Sequence, residues 1–232
     1  MRAPLTTLFL DAGGVLVNPN WSRIAEALVR QGVEVTPETL AAAEPRAKKA
    51  LDRPASVRSS DDAARGWLYF DLVLAEARVS RSAATEAAFA ELREYHARRN
   101  LWESVPAEVV PCLRRFRADG LCLVVVSNSN GTLRDHLRRL DLHRYVDVVL
   151  DSFDEGVEKP DPRLFAVGLE RSGARPEATL HVGDFYEIDV VGARAAGLRA
   201  VLLDAAGLYP EADCPRVQSL TELAQRLEAG AL

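Results

Sequence analysis

Short apolar runs recur along the chain, each stopped by a polar or small residue. They are TTLFL at 6–10, LCLVVVS at 121–127, VDVVLDS at 146–152, TLHVGD at 179–184 and RAVLLD at 199–204. Runs this short, rich in β-branched residues and bounded by turn formers, suit strands of a sheet covered on both faces. Helical patterns separate them. One spans 107–119 and stops at Asp119-Gly120. Another, 131–140, carries Leu133, Leu137 and Leu140 on one face. Asp161 and Pro162 open the next as N-cap and first-turn proline, and Gly173 closes it. Segment 188–196 halts at Gly197, and a last helix covers 219–227. Alternating strands and helices predict an α/β fold with a parallel five-stranded sheet.

Residues 18–100 break this rhythm. Trp21, Ile24, Ala25 and Leu28 recur at helical spacing up to Gly32, and Thr36-Pro37 starts a second helix. Segments 60–79 and 82–99 predict two more. The expected organisation is a core of 1–17 and 101–232 with an all-α cap domain, 18–100, inserted between the first two strands. Trp67, Tyr69 and Phe70 read as cap core or cap lining.

Composition narrows the function classes. The 232 residues are 48% apolar and 27% charged, as in an ordinary soluble protein, with net charge −5 and pI near 5.5. No clustered basic face suggests nucleic acid, and no polybasic patch suggests a membrane surface. Apolar runs fall short of the ~18 residues of a membrane helix. The N-terminus reads as a first strand rather than a signal peptide. Cys112, Cys122 and Cys214 form no CxxC pair, which suits reduced thiols in a cytoplasmic protein. Nothing in the pattern specifies an oligomeric state.

Ligands of open parallel sheets bind at the carboxyl ends of strands. Asp11, Ser127, Lys159 and Asp184 all follow such ends, and Asp189 stands five residues after Asp184. Two carboxylates sharing one crevice repel unless a cation or proton lies between them. An all-oxygen site with room for water and phosphate suits Mg²⁺. Lys159 adds positive charge for an anionic substrate, and Ser127 adds a donor. Backbone amides around Asn128 and in the Gly13-Gly14 turn offer further donors to a substrate. Asp11 can serve as a nucleophile. The combination points to phosphoryl transfer by positioning and charge neutralisation. Taken singly, Glu187 and Asp189 fit the acid-favouring first turn of a helix. His181, in an apolar strand, reads as a satisfied core histidine.

Four ordered segments, LFLDAGGVLV, VVVSNSNG, SFDEGVEKPDPRLF and HVGDFYEIDVVGARAAGL, resemble the haloacid dehalogenase-like hydrolase superfamily, in its helical-cap branch. The resemblance implies a Rossmann-like core. It implies Asp11 as nucleophile and Ser127 and Lys159 as phosphate-binding residues. It further implies Mg²⁺ held by Asp11, the Gly13 carbonyl and Asp184, with Asp189 behind these ligands or orienting Lys159. The expected reaction is hydrolysis of a small phosphorylated metabolite through an aspartyl-phosphate.

One position departs from that pattern. Phosphatases of the superfamily usually carry Asp two residues after the nucleophile, and here it is Gly13. General acid catalysis is worth roughly 10²- to 10⁴-fold, so the sequence predicts a preference for good leaving groups. The 2-haloacid dehalogenases also lack this acid, but they lose the metal carboxylate that Asp184 supplies here. Phosphonoacetaldehyde hydrolases lack it too and use a cap lysine as a Schiff base. Lys48 and Lys49 are in the cap, and their AEPRAKKALD context lacks that family's flanking residues. The remaining alternative is a phospho-ligand-binding protein without turnover.

Overall fold

The structure is a computed structural model that describes residues 3–54 and 62–232. It divides into two compact units, Met1–Asn18 with Val105–Leu232, and Pro19–Ser104. In the first unit, β1 (Thr7–Leu10), β2 (Cys122–Ser127), β3 (Val148–Asp151), β4 (Thr179–Gly183), β5 (Arg199–Leu203) and β6 (Arg216–Val217) form one sheet. Its order is β3-β2-β1-β4-β5-β6, and every pairing is parallel. The sheet thus has six strands, not the five expected. The sixth has two residues, Arg216 and Val217, pairing with Leu202 and Leu203, too short to leave an apolar run.

The second unit is helical. It holds α1 (Trp21–Arg30), α2 (Pro37–Leu51), α3 (Asp62–Glu76) and α4 (Ala83–Arg99). Side chains of Asn20, Thr36 and Ser82 cap α1, α2 and α4 by accepting from amides three residues on. The first residues of the expected 60–79 helix lie outside the described residues. Tyr69 and Phe70 are buried core side chains in edge-to-face contact, and half-buried Trp67 packs on Phe70 and Phe89. The Tyr69 hydroxyl donates to Glu44, which also pairs with Lys48 at 3.0 Å.

In the sheet unit, α5 (Val109–Ala118), α6 (Leu133–Arg139), α7 (Ser152–Glu155), α8 (Pro162–Ser172), α9 (Val191–Ala195) and α10 (Leu220–Glu228) complete the fold. Asp161 caps α8 by accepting from the Arg163 amide, and Gly173 ends it at φ 66°. Phe9, Val124, Val126, Leu150, Leu164 and Phe165 belong to one buried core cluster. Gly168 lets α8 reach it, since a Cβ there would come within 2.8 Å of the Phe9 ring. No helix among the described residues is long and apolar enough to cross a membrane.

Candidate active site

β1 is central, and Asp11 follows its last residue. The Asp11 amide donates to the Val182 carbonyl of β4 at 2.9 Å, fixing the residue where the two strands end. Its Oδ1 accepts from the Ala12 amide at 2.7 Å and from the Lys159 ammonium at 2.8 Å. The chain then folds over itself. The Ala12 carbonyl accepts from the Leu16 and Val17 amides, and the Gly14 amide donates to the Val17 carbonyl. These bonds leave the Gly13 carbonyl out. Gly14 takes the left-handed φ of 72° that the turn requires.

Lys159 is 1% exposed, although it lies on the loop between α7 and α8. Asn128, just past β2, grips its main chain from both sides. The Asn128 Nδ2 donates to the Lys159 carbonyl at 3.0 Å, and the Lys159 amide donates to Asn128 Oδ1 at 2.7 Å. The Asn128 side chain therefore places the lysine, a role that motif reading did not reveal. From there Nζ reaches both Asp11 Oδ1 and Asp189 Oδ1 at 2.8 Å.

Asp189 sits in a wide, π-helical turn, Tyr186–Val190, ahead of α9. Four donors converge on its carboxylate. Lys159 and His181 Nε2 bind Oδ1, and the Asp184 and Phe185 amides bind Oδ2 at 3.2 and 3.0 Å. Gly183 makes this approach feasible, because a Cβ there would lie 2.1 Å from Asp189 Cγ. Gly183→Ala is expected to lower stability by about 3 kcal/mol, the upper range for overpacking, and to release Lys159. Urea unfolding checks the first effect.

Asp11, Asp184 and Asp189 each offer an oxygen, and these oxygens lie within 4.8 Å of one another. Both Asp189 oxygens are occupied by donors, so Asp11 and Asp184 are the pair that could share a cation. Two buried carboxylates, Asp11 and Asp189, bind one ammonium. Burial pushes the Asp11 carboxyl above its ordinary value, an effect that Lys159 opposes and Asp189 reinforces. Burial acts the same way on Asp189, yet the Lys159 and His181 contacts outweigh it and hold that carboxyl well below the usual range. Lys159, penalised by burial, is nonetheless raised by its two acids.

The structure thus brings Asp11, Lys159, Asp184 and Asp189 together across almost 180 positions of chain. Ser127 ends neighbouring β2, two residues past Val125, its last partner position with β1, and opposite Asp151 of β3. Among the described residues, its hydroxyl's recorded bond is a long one, 3.4 Å to the Asn128 carbonyl. Lys48 belongs to α2, in the helical unit.

Comparison with known proteins places these motifs. Residues 5–197 match the haloacid dehalogenase-like hydrolase family. Haloacid dehalogenase-like hydrolase domain-containing protein 3 of Mus musculus is 42% identical over 91 residues, 39% of this chain and 36% of that protein. Phosphoserine phosphatase of Thermus thermophilus is 39% identical over 140 residues, 58% of this chain and 56% of that protein. The chain therefore spans about a third to just over half the length of these curated relatives. The crystal structure of YfnB, a putative HAD-hydrolase from Bacillus subtilis bound to magnesium, superposes with a TM-score of 0.69. The two are 19% identical, and the match covers 97% of this chain and 99% of that one.

Proposed function

Because the chain belongs to the haloacid dehalogenase-like hydrolases, we propose that it is a Mg²⁺-dependent phosphatase acting on a small phosphorylated metabolite through an aspartyl-phosphate. One observation carries the reading: a buried ammonium, Lys159, bound to Asp11 at a sheet rim where Asp184 lies within 4.8 Å. The similarity to a phosphoserine phosphatase supports it. Residues 18–100 would act as the cap that selects the substrate.

The donor set fits Mg²⁺. Asp11 and Asp184 supply hard carboxylate oxygens, and the acids outnumber the neighbouring ammonium. Asp11, Asp184 and the Gly13 carbonyl would hold the ion, which would neutralise charge on the phosphoryl group. A carboxylate oxygen of Asp11 attacks phosphorus while the phosphorus–oxygen bond to the leaving group breaks. Lys159 and the Ser127 hydroxyl bind phosphoryl oxygens. Water then cleaves the acyl phosphate, releasing inorganic phosphate and restoring the Asp11 carboxylate. Asp189 keeps the ammonium aimed at Asp11 throughout.

With glycine at position 13, the leaving oxygen departs without a proton from that residue. Acetyl phosphate and aryl phosphates are expected to turn over, alkyl phosphates roughly 10²-fold or more slowly, and chelation to stop both. Phosphate release with and without chelator checks this, and equal rates on the two classes would count against a missing donor. Gly13→Asp is expected to raise alkyl phosphate turnover selectively. The left-handed φ belongs to Gly14, so backbone conformation does not demand glycine at 13.

Gly13 also gives a second reading, since halide leaves without a proton. Halide release from a 2-haloacid in the presence of chelator would favour it. Asp184 beside Asp11 favours the phosphatase.

A further inference from the structure

Beneath the rim, the imidazole of His181 is fully buried in the middle of β4. Its neighbours across the sheet are Phe9 and Ala200, and its ring stands edge-on to Phe165 at 5.0 Å. Leu180 and Val182 flank it along the strand. The single polar contact recorded for the ring is Nε2 to Asp189 Oδ1, at 3.0 Å. An ionised carboxylate only accepts, so Nε2 carries the hydrogen. Nδ1 meets no hydrogen-bond partner among the described residues.

A buried nitrogen without a partner is unfavourable. Leucine or methionine would fill this apolar slot without that penalty. What the imidazole adds is the Nε2 bond, and that bond lands on the oxygen that also holds Lys159. Main-chain amides restrain Asp189 Oδ2. With His181 removed, Lys159 would be the one side chain left on Oδ1 among the recorded bonds, and lysine and carboxylate could swing together.

We infer that His181 is a positioning residue for the hydrolytic reaction: its Nε2–H fixes the Asp189 carboxylate and thereby sets where the Lys159 ammonium stands relative to Asp11. The inference rests on reading the site as a phosphoryl-transfer centre, but its effect on Lys159 can be observed without turnover.

The test compares wild type with His181→Leu, which removes the donor, and His181→Gln, which keeps an N–H of similar reach. Lys48, Lys49 and Lys159 are the chain's lysines, so nitrogen-15 lysine labelling gives a simple spectrum in which Lys159→Met identifies the Lys159 signal. Wild type is expected to show hydrogen on His181 Nε2 and a slowly exchanging Lys159 ammonium. His181→Leu is expected to lose that slow exchange. Its kcat on an aryl phosphate, per folded molecule, should fall about 10- to 100-fold, as when an outer partner of a site is lost. His181→Gln should recover most of both.

Unchanged Lys159 exchange and kcat in His181→Leu would overturn the inference, as would wild-type hydrogen on Nδ1 with bare Nε2. A histidine kept only for packing would lower the stability of both variants and leave turnover per folded molecule intact. Should His181→Leu fail to fold, the wild-type tautomer and the Lys159 signal of His181→Gln decide. Should wild type hydrolyse no phosphorylated compound, the phosphatase reading fails, while the exchange measurements still decide whether His181 holds Lys159 in place.

Discussion

Asp11→Asn is expected to cut kcat on an aryl phosphate by a factor on the order of 10⁴ or more, the scale of losing a nucleophile. The fold should not suffer. Burial raises the Asp11 carboxyl above its ordinary value, so the folded chain binds that proton more tightly than the unfolded chain does. Ionised Asp11 therefore costs stability at neutral pH, and the cost disappears as pH falls. Asparagine removes the charge, and Lys159 keeps Asp189 as its partner. The variant should melt at or above the wild-type temperature in metal-free buffer, as expected when function is held at the expense of stability. Single-turnover kinetics and thermal melts of the same preparation check both halves. Residual activity near wild type would remove Asp11 from the chemistry.

Lys159→Met is expected to cost about 3–5 kcal/mol, the range for breaking a buried ion pair and leaving charge uncompensated. Lys159 is buried with acids on two sides. The pH dependence separates this from simple packing loss. The Asp189 carboxyl is held below its ordinary 3.8, so its contribution is complete above that value and lost as pH falls through the folded one. The Lys159 ammonium is held above its ordinary 10.5, so its contribution is complete below that value and lost only as pH rises through the folded one. Between these limits the wild-type pair adds no slope. In Lys159→Met, Asp11 and Asp189 face each other without the ammonium, and protonation relieves them. The variant should gain stability relative to wild type between pH 7 and pH 5. Urea midpoints at both pH values check the sign.

Five strands were legible because each is an apolar run that ends on a turn former, as LCLVVVS at 121–127 shows. β6 left no such mark, since it joins the sheet only through the edge of β5. The 188–196 segment reads correctly as helical, but its wide first turn does not show in periodicity. That turn depends on Asp189 bending back onto the Asp184 and Phe185 amides over a side-chain-free Gly183. The convergence of Asp11 and Asp184 was legible because each follows the end of one of two adjacent strands, β1 and β4. The Asn128 clamp was not, because it joins an amide side chain to main chain 31 residues away and carries no spacing signature. His181 shows a related limit, since an apolar strand reveals that a histidine is buried and not what it grips.

The turn after β1 places its conformational demand on Gly14, at φ 72°, and not on Gly13. Glycine and aspartate codons can differ by a single nucleotide. Under the proposed chemistry, one point mutation would convert this chain between reactions that need a proton and reactions that do not, with no change of backbone conformation demanded at position 13. Close kin of this chain should then alternate between the two residues at position 13 over short evolutionary distances, while position 14 stays fixed.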